Sequence, residues 1–221
     1  MMRRLSMAAL ALLVAAPLAA QAPAGWQMRV DRSTNPADPD DVPDVKFVTM
    51  GNGYHVTTGP AVILWNPSNT ASGQYTLKGT FTLTKPSGHR NSYGLFFGGA
   101  SLDGPQQNYL YFLVDQEGNI MVKHRAGDAT THDVLPLRVH EAVKKPDESG
   151  RSTNALEVRV GADKIDFVVN GQVVHSQPKQ GMASRTDGIW GVRVNHLLDV
   201  HIADLGVTTG GSSGDSPDRT P

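Results

Sequence analysis

Aromatic, basic and amide side chains recur at alternate positions in several segments of this sequence. They are Tyr93, Tyr109, Tyr111, Lys123, Arg125, Arg193 and Asn195. Aromatic rings stack on the apolar C–H faces of a sugar, and amide, ammonium and guanidinium groups hydrogen-bond to its hydroxyls. If the segments are neighbouring strands, these side chains share one open face, and we expect that face to bind a carbohydrate or glycan. The alternative is a solvated sheet face that binds no ligand.

Groups that could catalyse a reaction are sparse. Hydrolysis of a glycosidic bond needs two carboxylates that flank it, and the four Glu, at positions 117, 141, 148 and 157, are scattered over turns, connections and one strand exterior. There is no Cys, and the eight His have no metal-binding spacing along the chain. We therefore identify no catalytic residue, although a Ser-His-Asp site assembled in space stays open.

An early loop concentrates acidic residues. Asp38, Asp40 and Asp41 lie within four positions, and Asp44 follows. Loop carboxylates are typical calcium ligands, but neither the Gly nor the terminal Glu of an EF-hand loop is in place. Asp and Pro together are also ordinary turn chemistry. The sequence favours a solvated loop, and it leaves calcium as the one open cofactor.

Composition excludes several classes of partner. Lys and Arg number 20 against 21 Asp and Glu, so there is no basic excess to neutralise a nucleic-acid backbone. The absence of Cys removes disulfides and thiolate metal sites. We predict no nucleic-acid partner.

The two ends of the chain differ in composition from its body. Arg3 and Arg4 precede an apolar run of Leu, Ala, Val and Met that Pro17 interrupts, which predicts a secretory signal peptide over residues 1–22 and no membrane span in the mature chain. Residues 209–221 are rich in Gly, Ser and Asp and predict a disordered tail. The folded domain is expected over residues 23–208, in the periplasm or outside the cell.

The body of the chain has a period-two pattern almost throughout. Between Gln74 and Thr84, apolar residues and Gly79 alternate with Thr and Lys, as in a half-buried strand. Similar runs are 61–65, 93–99, 108–115, 119–125, 155–160, 164–169, 172–176, 189–195 and 198–207. Asn170-Gly171 is the dipeptide of a tight hairpin turn. Ten strands without crossover helices predict an all-β, antiparallel sandwich of two sheets, with residues 134–151 as the longest connection.

The order of these strands carries a resemblance to a known superfamily. The string runs from YGLFFGG at residues 93–99, through NALEVRVGADKIDFVVNGQVV, to GIWGVRVN and VHIADLGV. It resembles the concanavalin A-like lectin and glucanase jelly roll, particularly its laminin G-like members. It is also similar to secreted bacterial domains named for 3-keto-disaccharide hydrolysis. Those domains carry an Arg after the first of these strands, where this sequence has Gly98.

The resemblance implies a jelly-roll fold and leaves the activity open, since one fold hosts many functions. Together with the residues above, it favours a secreted carbohydrate-binding module without its own catalysis. The alternatives are a secreted glycoside-processing enzyme similar to the 3-keto-disaccharide hydrolases, and a structural or adhesion module.

Overall fold

The computed structural model describes residues 22–209. The predicted signal peptide lies outside these residues except for its last position, and so does the predicted tail after Thr209. Within residues 22–209, no helix is long and apolar enough to cross a membrane.

Fourteen strands and two short 3-10 turns make up the described chain. In chain order the strands are β1 (Gln27–Asp31), β2 (Lys46–Met50), β3 (Gly53–Thr57), β4 (Ala61–Ala71), β5 (Tyr75–Lys85), β6 (Ser92–Ala100), β7 (Asn108–Asp115), β8 (Asn119–Ala126), β9 (Thr131–Val139), β10 (Ser152–Val160), β11 (Lys164–Val169), β12 (Gln172–Pro178), β13 (Gly188–Val194) and β14 (Asp199–Thr209). The 3-10 turns span Pro39–Asp41 and Gly181–Ala183.

The strands form two antiparallel seven-stranded sheets. The first sheet has the order β1-β4-β13-β6-β7-β8-β9, and the second has the order β12-β11-β10-β5-β14-β3-β2. Because side chains alternate between the two faces of each strand, each sheet buries one face against the other sheet, as in other face-to-face sandwiches. The predicted all-β, two-sheet antiparallel sandwich is confirmed.

The main core lies between the sheets. It includes Phe81 and Leu83 of β5, Phe97 of β6, Phe112 of β7 and Phe167 of β11, all of them at most 1% exposed. Burying one such aromatic side chain contributes about 1.5–3 kcal/mol. The sandwich can therefore be stable without disulfides.

Turns of the expected kind join neighbouring strands. Asn170 and Gly171 connect β11 to β12 with φ angles of 50° and 84°, the pair of positive values that a two-residue hairpin turn needs. The Asn170 side chain also donates to the Ala142 carbonyl at 2.7 Å. The long connection does cross between the sheets, but β9 occupies its first part.

Candidate functional site

A second apolar cluster lies on the outer face of the first sheet, away from the main core. Its members are Ile63, Trp65, Phe96, Leu102, Tyr109, Tyr111 and Leu113. Leu102 comes from the β6–β7 connection, which Arg29 of β1 holds by donating to the carbonyls of Leu102 and Gly104. Arg29 also pairs with Asp128 at 2.6 Å. The outer face is therefore an apolar floor bordered by ion pairs.

Arg193 is the central polar group of this floor. Its Nη1 donates to the Tyr109 hydroxyl at 2.9 Å and to Asp31 Oδ2 at 3.1 Å. The guanidinium carbon lies 5.3 Å from the centre of the Tyr111 ring, within the range of a cation–π contact. Tyr109 and Tyr111 stand 5.6 Å apart, centroid to centroid. The structure thus brings three of the sequence-predicted residues into one contact group.

Burial and charge set the protonation of this group. Burial alone would lower the pKa of Arg193, but Tyr109 and the Asp31 carboxylate outweigh it and raise the pKa. Burial raises the pKa of Tyr109 and of Tyr111, and Arg193 opposes that rise in both. At neutral pH the site therefore presents a fixed guanidinium ion and two neutral phenols.

Lys123 and Arg125 lie beside this group on β8. Their registers place them opposite Tyr111 and Tyr109 of β7, so they share the outer face. Lys123 pairs with Asp133 of β9 at 3.1 Å and is 32% exposed. Arg125 donates to the Asp128 carbonyl at 2.7 Å. These two residues supply the solvent-accessible donors of the face.

Tyr93 does not lie on the outer face, contrary to the sequence prediction. It is fully buried in the main core, opposite Val114 of β7, where Asn154 donates to its hydroxyl at 3.4 Å. Phe96 takes the outer position that was expected for Tyr93, because it is the residue paired with Tyr111. From Ser92 to Phe97, each odd-numbered residue of β6 lies opposite an even-numbered residue of β7. The odd-numbered residues of β7, which include both tyrosines, therefore share a face with the even-numbered residues of β6.

The Asn195 side chain is not hydrogen-bonded to this group through its buried Oδ1, which has no partner within residues 22–209. Strand β13 ends at Val194, and the Asn195 backbone extends the pairing of this strand with β6 by one more hydrogen bond. Its N–H donates to the Ser92 carbonyl at 2.9 Å, and its carbonyl accepts from the Thr58 hydroxyl at 2.7 Å. The backbone thus keeps the register of β13 and β6 as far as Asn195.

Gly98, at which the sequence resemblance predicts an Arg that is missing, lies at a bulge of β6. Its φ is +63°, and a Cβ atom there would lie 2.5 Å from the Arg185 carbonyl oxygen. Both features disfavour any side chain at this bulge of β6. The local backbone therefore favours Gly at position 98.

The predicted calcium ligands serve the loop itself. Asp38 Oδ1 accepts from the Asp40 N–H at 3.0 Å, and Asp41 Oδ2 accepts from the Ser33 N–H at 2.9 Å. Asp40 faces His89 at 3.3 Å. Within residues 22–209, no three His, Asp or Glu side chains form a group that could hold a metal ion. The structure does not bring Asp38, Asp40 and Asp41 together as a ligand set.

Asp31 and Trp65 are among the outer-face residues that sequence reasoning missed. Asp31 ends β1 in a segment without clear alternation, and only pairing with β4 shows which way it faces. Trp65 was expected to be a packing residue, and it is 3% exposed, but in the outer cluster. Trp190 packs in the main core. Arg193, the cation that Asp31 meets, lies on β13, two strands away from β1, so no sequence pattern pointed to Asp31.

Comparisons with known proteins place the fold. No family model matches the chain, and no curated protein does. Among solved structures, the chain is similar to carbohydrate-binding module CBM66 from Bacillus subtilis, with a TM-score of 0.59 and 12% identity over 84% of this chain and 96% of that one. A Bacillus subtilis protein of unknown function with a galectin-like fold has a TM-score of 0.56 and 13% identity, over 83% and 89% of the two chains.

A third similar structure is the Bacteroides ovatus mixed linkage glucan GH16 protein in complex with its product. Its TM-score is 0.53 and its identity 7%, over 80% of this chain and 92% of that one. At these identities the likeness concerns the fold. The chain therefore shares the two-sheet β-sandwich fold of these structures.

Proposed function

We propose that the protein is an exported carbohydrate-binding module without its own catalysis, whose site is the outer face of the first sheet. The observation that carries this proposal is the fixed arrangement of Arg193 over Tyr111, with Tyr109 and Asp31 as its partners. Ligand affinity gains when polar groups are held in place before binding, because less side-chain entropy is lost. The fold likeness to a carbohydrate-binding module supports the same function.

The accessible donors favour a hydroxylated ligand. Lys123 and Arg125 stand at the solvent side of the floor, and their backbone partners on β7 are the two tyrosines. Ammonium and guanidinium groups donate only, so their ligand must supply acceptor oxygens. Sugar hydroxyls, ring oxygens and uronate carboxylates all meet that need.

The carboxylates of the face support binding rather than hydrolysis. Asp31, Asp128 and Asp133 are ion-paired with Arg193, Arg29 and Lys123 respectively. Each of these carboxylates is thus held by a cation of the face, whereas a glycosidase needs two carboxyl groups that flank the glycosidic bond.

Affinity electrophoresis in gels cast with neutral and with uronate polysaccharides tests the proposal. Retardation by at least one polysaccharide is expected, and Lys123→Ala or Arg125→Ala should weaken it about tenfold or more, since a hydrogen bond to a charged group contributes about 1.5–3 kcal/mol. Arg159→Ala is the matched control, because Arg159 is an exposed Arg on the outer face of the second sheet. Its retardation should equal that of the wild type.

Three results would contradict this proposal. If Arg159→Ala lost as much retardation as the site variants, nonspecific charge attraction would account for the retardation. Release of reducing sugar from a polysaccharide, or turnover of a keto-disaccharide, would replace the binding module with the glycoside-processing alternative. Retention by none of the polysaccharides would favour a structural or adhesion module.

Export is tested separately. The composition of the first 22 residues supports a cleaved signal peptide. Mass spectrometry of protein recovered from outside the cytoplasm should find a new N-terminus between residues 21 and 25. An intact N-terminus on cytosolic protein would contradict export and leave the binding site unaffected.

A further inference from the structure

The outer face of the second sheet brings two histidines directly opposite each other. His55 of β3 and His201 of β14 are paired in the antiparallel register, and their ring centroids lie 6.3 Å apart at an interplanar angle of 30°. Side chains directly opposite in an antiparallel pair have Cβ atoms about 4.5–5.5 Å apart. Two imidazoles so placed are close enough to share one small ligand.

The carboxylate of Asp199 contacts the His55 ring. Asp199, the preceding residue on the same face of β14, contacts His55 Nε2 and also accepts from the Thr84 hydroxyl at 3.1 Å. When Nε2–H donates to a carboxylate, the neutral ring keeps its lone pair on Nδ1. Metal-ligating histidines have this arrangement, in which the carboxylate fixes the tautomer and raises the basicity of the other nitrogen.

The Nδ1 atoms of the two histidines make no hydrogen bond within the described part of the protein. Both atoms, in His55 and in His201, are shielded from solvent. Beside them lies an open pocket of about 480 Å³, lined by both histidines together with Met50, Thr82, Thr84 and Arg151. The pocket leaves room for a bound ion and for its solvent ligands.

We propose that His55 and His201 chelate one divalent ion of the kind that prefers imidazole, namely Zn²⁺, Ni²⁺ or Cu²⁺, and that Asp199 is a positioning residue. The ligand set consists of two imidazoles completed by solvent, since residues 22–209 contain no group of three acidic or histidine side chains that could hold a metal. Nitrogen ligands select against Ca²⁺ and Mg²⁺, which prefer oxygen. The site lies on the opposite sheet from the proposed carbohydrate face and does not depend on it.

Arg151 allows a metal site to be distinguished from an anion site. It lines the same pocket and is exposed. A positive charge there opposes a bound cation and favours a bound anion. Its removal therefore has opposite effects on a metal site and on an anion site.

The test is calorimetric titration of tag-free, metal-stripped protein with Zn²⁺ alone. We expect one ion per chain, no measurable binding for His201→Asn, and affinity lower by about 10- to 100-fold for Asp199→Asn. Arg151→Gln should bind Zn²⁺ at least as tightly as the wild type. Thermal melting without metal checks that each variant folds, and His55→Gln replaces His201→Asn if that variant does not.

A second cross-strand histidine pair supplies the matched control. His124 and His132 lie opposite each other on β8 and β9, and their stacked rings have centroids 6.0 Å apart. The Nε2 of His124 meets the Asn108 amide oxygen at 3.2 Å rather than a carboxylate, so His132→Asn should leave Zn²⁺ binding unchanged. Absence of binding to the wild type, full binding by folded His201→Asn, loss in His132→Asn, or weaker binding in Arg151→Gln would each overturn the proposal.

Discussion

Replacing Arg193 with Met tests whether the polar group at the outer face is as tightly coupled as its geometry indicates. Met keeps most of the side-chain length but removes both donated hydrogen bonds. The Tyr109 hydroxyl, in a residue 1% exposed, then loses its partner, which costs about 1–3 kcal/mol. Asp31 is 23% exposed and can be solvated again, so its loss adds only about 0–1 kcal/mol.

The expected decrease in the free energy of unfolding is therefore about 1–4 kcal/mol for Arg193→Met. For a domain of this size, that lowers the melting temperature by about 2–16 °C. Tyr109→Phe removes a single charge-assisted bond while Arg193 keeps Asp31, so we expect a cost of about 1–2 kcal/mol.

Urea unfolding, followed by tryptophan fluorescence, measures both single variants and the double variant. The two changes should not add, and their coupling should be about 1–2 kcal/mol, because they remove the same hydrogen bond. A decrease below about 1 kcal/mol for Arg193→Met, or strict additivity in the cycle, would refute the view that this contact group is held by mutual hydrogen bonds.

Three further outcomes follow from the described structure. Burial, together with His132 and Arg185, lowers the pKa of His124 below its usual 6.5. The neutral ring therefore contributes stability above pH 6.5, and this contribution is lost as the pH falls through the lowered pKa of the folded state. Between about pH 7 and pH 5, the free energy of unfolding of His124→Asn should therefore decrease less than that of the wild type. Gly98→Ala should cost about 2–4 kcal/mol in urea unfolding, because a Cβ would meet the Arg185 carbonyl at 2.5 Å at a positive φ; a neutral effect would mean that the bulge relaxes. Phe112→Ala should cost about 3–5 kcal/mol in the same assay, since Phe112 is fully buried between the sheets, and a cost under about 1 kcal/mol would contradict the packing.

The sequence predicts the central strands well because their alternation reflects one buried face. Strands β7 and β11 have the predicted bounds, and β5 is displaced by one residue at each end. Four strands were not predicted, namely β1, β2, β3 and β9. Three of these lie at sheet edges and bury few side chains, so their pattern is weak; Pro136 further obscures β9.

The site was only partly predictable for a different reason. Alternation shows which residues of one strand share a face, but the phase between two strands depends on their register. Tyr93 and Phe96 exchanged places for this reason. The pairing of His55 with His201 also lies outside sequence reasoning, because strands far apart in the chain meet only after folding.

The order of the strands has a consequence for how other molecules can reach this protein. The free edges of the two sheets belong to β1, β9, β12 and β2. Two of them, β1 and β2, are only five residues long, and the other two carry Pro136 and Pro178. Short edges and prolines discourage an added strand from another chain, which protects against aggregation. A partner is therefore directed to the faces of the sandwich, where side chains rather than backbone groups decide what binds.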